Sequence, residues 1–184
     1  LVPYDIGRPL LAASAPLILA GAIAFATLVL PLARSVETPF GFSGFLSAGA
    51  ISLVTAAALG AAMALSVALG APSDGLYPGE LAQPLWHLAA YGFGVIFTLG
   101  IALRALPGFL YLGPPRAELA RLALWVLPAA IPLQAAALAV AGSSRVGAAL
   151  ELAARFMVGA GLLIAAASLR WFRAGFWRHE KDHA

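Results

Sequence analysis

The sequence predicts an all-α, polytopic integral membrane protein with five transmembrane helices, its N-terminus outside and its C-terminus cytoplasmic. Three observations predict this. First, 62% of the 184 residues are hydrophobic and only 10% are charged, whereas a surface exposed to water usually carries about a quarter charged residues. Second, the uncharged runs match the roughly 20 helical residues that cross a bilayer's hydrocarbon core. Third, Lys and Arg segregate between the connections. The same composition excludes other classes. No cysteine is present for a disulfide or thiolate-metal scaffold, the hydrophobicity excludes disorder, and the chain has no dense basic stretch for nucleic acid.

Uncharged runs cover 9–33, 38–73, 81–103 and 122–144, and a fifth at 146–169 is broken only by Glu151 and Arg155. They predict spans near 9–33, 43–70, 82–106, 119–142 and 146–171 in one transmembrane domain, 1–184. Turn chemistry separates them: Pro31 with Glu37-Thr38-Pro39, Ala71-Pro72-Ser73-Asp74-Gly75, Leu112-Gly113-Pro114-Pro115, and Gly142-Ser143-Ser144. Residues 9–33 lack a charged leader and a small-residue cleavage site, so they are expected to be a permanent span and not a signal peptide.

An odd number of spans puts the termini on opposite faces. Arg34, Arg116, Arg121, Arg170, Arg173, Arg178 and Lys181 share one face, against Arg8 and Arg145 on the other. The positive-inside rule makes the first face cytoplasmic, and Trp171, Phe172, Phe176 and Trp177 are expected to form the interfacial belt that ends the last span. The net charge of +3 is therefore a feature of topology in a lipid bilayer, here expected to be a bacterial inner membrane.

Helix association in lipid depends on close backbone approach. Ala22 with Ala26, Ala56 with Gly60 and Ala64, and Gly161 with Ala165 form small-residue faces at four-residue spacing. They are expected to serve packing within the chain, with a homo-oligomer or other membrane subunits as the alternative. Pro16, Pro128 and Pro132 fall inside spans, where a missing N–H frees a carbonyl and can bend the helix around a cavity.

The third span carries the candidate chemistry. At α-helical period, His87, Tyr91, Gly94 and Thr98 fall on one stripe. Ionisable residues within membranes are costly and by default functional, and His87 enters roughly 5–10 Å below the outer interface. Its neutral imidazole can ligate haem iron, relay protons or hydrogen-bond a backbone carbonyl. Gly92 and Gly94 offer a flat surface on which a macrocycle can lie. Met63 and Met157 stand at comparable depth, where a thioether serves either as a second axial ligand or as packing. Glu151 and Arg155, four residues apart, can neutralise each other, or Arg155 or Arg145 can meet an anion such as a haem propionate. Arg104 is explained by snorkelling to the cytoplasmic interface.

His179-Glu180-Lys181-Asp182-His183 matches H-E-x-x-H, in which two histidines on a helical face hold zinc. Its place in a charged tail with no downstream third ligand argues against a metalloprotease. No phosphate loop, Ser-His-Asp set or intramembrane carboxylate pair is present.

From His87 to Leu110 the chain reads H-x3-Y-G-F-G-x2-F-x2-G-x3-R-x-L-P-G-F-L. This string resembles a helix of bacterial NnrS-like proteins, which are similar to the haem-copper oxidase subunit I fold. The resemblance implies haem near the outer face with His87 as an axial ligand, Arg104 and Pro107 as motif positions, and a role in respiratory or nitric-oxide-related chemistry. Those proteins are longer and carry several histidines, so a bis-histidine haem here would need a second chain. The expectation is a small membrane subunit of a respiratory or electron-transfer complex, not catalytic alone, holding haem b through His87. A non-catalytic scaffold that anchors partner chains is the alternative, and a small-solute transporter is a third reading.

Overall fold

A computed structural model describes residues 4–35, 42–70, 79–110, 113–140 and 145–169. Helix is the only regular structure among them. Its elements are α1 (Tyr4–Ser35), α2 (Phe42–Ala68), α3 (Gly79–His87), a π-helical segment (Leu88–Val95), α4 (Ile96–Phe109), α5 (Ala117–Val140) and α6 (Arg145–Ser168). α3, the π segment and α4 run on without a break, so five helices are long and apolar enough to cross a membrane. Their number is the one expected from the uncharged runs. The belt aromatics, the H-E-x-x-H string and most of the turn residues lie outside the described residues.

The helices pack largely in chain order: α1 on α2, α2 on the π segment and α4, α3 on α5, and α5 on α6. The third span thus separates α2 from α5. Phe45, Ile96, Leu103, Leu127 and Ile131 are fully buried along this seam. Phe25 reaches from α1 to the third span, its ring 5.6 Å edge-on from Phe93 and 5.7 Å from Phe97.

The small-residue faces are spent within the chain. Ala22, Ala26, Ala56, Ala64 and Ala165 are buried, and an added Cβ at Gly161 would sit 2.7 Å from Leu127 Cδ2 on α5. A side chain there would have to displace Leu127, so glycine eases the α5–α6 approach. α2 is closed by Gly70, whose φ of 85° is the left-handed geometry that commonly ends helices. At the opposite end of the hairpin, Arg116 N–H donates to Ser168 O at 2.9 Å, joining the start of α5 to the end of α6.

Arg104 is exposed, and its guanidinium carbon lies 5.2 Å from the Phe42 ring centroid, a cation–π contact at the start of α2. α5 continues through both Pro128 and Pro132, which line an apolar groove between α2, α3 and α5. The prolines do border a cavity, as their helix-bending chemistry allows.

The regular stripe expected of the third span is altered by the π segment. A π helix uses i→i+5 hydrogen bonds and places more residues in each turn. Side chains before and after the segment therefore lose the phase that an uninterrupted α-helix would give them. His87 and Tyr91 stay together, whereas Thr98 is exposed and absent from the cleft described below.

Candidate functional site: a cleft around His87

Five hydroxyls of the bundle set a reference for its polar groups. Ser14 donates to Leu11 O, Thr27 to Ala24 O, Thr55 to Ile51 O, Ser66 to Met63 O and Ser168 to Ala165 O, at 2.6–2.9 Å. Each is satisfied by its own helix.

His87 is not. It ends α3, is only 8% exposed, and its buried Nε2 has no hydrogen-bond partner. Its ring stacks on Tyr91, one turn on, at a centroid distance of 4.8 Å and an interplanar angle of 29°. Gln134 on α5 is also 8% exposed. These two polar side chains come from different helices and face one cleft of about 650 Å³, inside the roughly 300–1,000 Å³ range of small-molecule sites.

The third span contributes Gln83, Trp86, His87, Ala90 and Tyr91 to this cleft. α5 adds Gln134 and Leu138, while α6 supplies Arg155, Val158, Gly159 and Leu162 as the far wall. Gln83, His87 and Tyr91 are at four-residue spacing, which keeps them on one side of the helix. Arg155 is ion-paired to Glu151, and their side chains are 61% and 17% exposed. The only charged residue among the described residues of the cleft wall therefore already has its counter-ion. Among the described residues no carboxylate lines the cleft, and no cluster of three or more His, Cys, Asp or Glu occurs.

Of the residues expected to act together, the cleft unites His87, Tyr91 and Arg155. Met63 lines a separate apolar groove of about 390 Å³ between α1, α2 and α3, and Trp86 is a wall of both cavities. Met157 is exposed on α6 and does not line the cleft. Gly94 is outside it too. Gly92 is buried, and a Cβ there would lie 2.8 Å from Ser52 Cβ, so it provides a close approach to α2 and not a flat face for a macrocycle.

Gln134, Gln83 and Trp86 were not anticipated. Gln134 is the one amide in the fourth uncharged run, and a search for uncharged polar groups within the spans would have found it. Set against family models, curated proteins and solved structures, the chain finds no match.

Proposed function

We propose that this chain is a multi-pass subunit of an electron-transfer complex in the bacterial cytoplasmic membrane, N-terminus outside, with its redox-active group held in the His87 cleft. The observation that carries this reading is the buried, unpartnered Nε2 of His87 at the edge of a cavity large enough for a cofactor. Leaving a polar atom desolvated and unpaired costs about 1–3 kcal/mol. A ligand that meets it recovers that cost, and none of the bundle's own carbonyls does so.

Haem b bound through His87 is the occupant that the resemblance to NnrS-like proteins implies. The free ring nitrogen fits an axial ligand, and Arg155 stands at the same cleft for a propionate once Glu151 releases it. The thioethers do not fit a second ligand, because Met63 belongs to another groove and Met157 lies outside the cleft. That position falls to a partner chain. A bound haem supplies one-electron chemistry, while the chain's residues set its ligation, polarity and orientation.

The scaffold reading is weakened by the small-residue faces, which this chain's own helices already cover. The exposed large apolar residues, such as Leu17, Leu28, Phe156 and Leu163, support contact with lipid.

The test is to purify the protein from its native membranes with partners attached, then combine oxidised and dithionite-reduced visible spectra with solvent extraction. A redox-active group present in the wild type and lost in His87→Ala is the expected result. A preparation that keeps its partners and carries no such group overturns the reading in favour of the scaffold.

A further inference from the structure

The cleft has a definite polar character. Four uncharged hydrogen-bonding side chains line it, Gln83, His87, Tyr91 and Gln134, and the two that are buried are the His87 imidazole from α3 and the Gln134 amide from α5. Each of these two is more than nine-tenths buried. The Arg155 charge is paired with Glu151, which weakens the attraction for an anion, and among the described residues no acidic group lines the walls to hold a cation. The ligand that suits this set is neutral and carries two separated acceptors. Trp86 and Tyr91 add aromatic walls, matching a flat ring.

The second cavity completes the description. Trp86, 71% exposed, lines both the polar cleft and the apolar groove that contains Ile18, Leu53, Gly60, Met63 and Ala82. A polar chamber and an apolar one thus meet at a single indole. A ligand that uses both has a polar ring and a long hydrocarbon tail.

We propose that the cleft binds a membrane-soluble quinone, its two ring carbonyls accepting hydrogen bonds from His87 Nε2–H and the Gln134 amide, with its tail passing Trp86 into the groove of α1, α2 and α3. This rests on the reading that the His87 cleft holds the redox-active group, and it replaces the haem that the resemblance implies with a ligand chosen by the cleft itself. Binding energy divides accordingly. The head supplies two hydrogen bonds, and the tail supplies apolar contact along the groove.

The test uses the full chain in detergent micelles, with a decyl-tailed benzoquinone and tail-free benzoquinone as probes and tryptophan fluorescence as readout. The tailed quinone is expected to quench saturably, and Trp86→Phe to remove most of that quenching. His87→Leu and Gln134→Leu each weaken binding roughly three- to tenfold, the worth of one hydrogen bond. Gly60→Leu fills the groove and weakens the tailed probe alone. Should that variant fail to accumulate, Ala82→Leu fills the same groove from α3. Non-saturable quenching, or unchanged affinity in both His87→Leu and Gln134→Leu, overturns the proposal. A haem absorption band that disappears with His87→Leu overturns the quinone but leaves the electron-transfer reading standing. A protein from native membranes that holds neither group overturns both.

Discussion

The two faces of the third span differ in how they are packed. Toward α2 the backbone comes so close that a Cβ at Gly92 or Gly100 would lie 2.8 Å from Ser52 Cβ or 2.9 Å from Phe45 Cβ. On the side of α5 and α6 the same helix leaves a cleft edged by His87, Ala90 and Tyr91. Around Gly92 and Gly100 the first face is filled to the limit, whereas the second is left open beside a buried nitrogen with no partner. The difference teaches how a small bundle tolerates a costly site: tight packing on the first face fixes the helix that carries the second.

The largest expected effect comes from the packed face. Phe45→Ala empties a fully buried position opposite Gly100 and is expected to cost about 3–5 kcal/mol, read as a fall in the midpoint of thermal or SDS-induced unfolding in detergent. Gly100→Ala overfills the same contact. It is expected to cost about 1–3 kcal/mol, and an unchanged midpoint would show that Phe45 yields freely and that the two faces are not so different.

The open face should respond with the opposite sign. His87→Leu removes a buried nitrogen with no partner, so it is expected to raise ligand-free stability, by up to about 1–3 kcal/mol, while weakening ligand binding. A lower unfolding midpoint in this variant would mean that the imidazole is satisfied and that the face is structural.

The smallest effect distinguishes the two ends of the ion pair. Glu151→Gln leaves an exposed guanidinium and should change stability by well under about 1 kcal/mol. Arg155→Leu leaves a mostly covered carboxylate without its partner and should cost more, with the double variant recovering the difference. Equal losses from the two single variants would show that Glu151 is as well solvated as Arg155.

Much of this architecture was legible because hydropathy is a bulk property of a segment. Runs such as 9–33 and 122–144 declare a span whatever their neighbours do, and small residues at four-residue spacing declare a close helix contact. His87 was legible because an imidazole in an apolar run needs a partner. The π segment was not, since a change in hydrogen-bond register from Leu88 to Val95 leaves hydropathy unaltered, and with it went the placement of Gly94 and Thr98. Met63 and Met157 were matched by depth alone. Depth does not say which side of a helix a residue occupies, and the two sulfurs fell away from His87. Gln134 was missed because a count of charges passes over an amide.

The bond from Arg116 N–H to Ser168 O ties the mouth of the last hairpin, and α6 rests chiefly on α5. The wall bearing Arg155 and Gly159 is therefore braced on α5. The chamber beside His87 is thus bounded on one side by a two-helix unit that meets the other helices chiefly along α3 and the π segment.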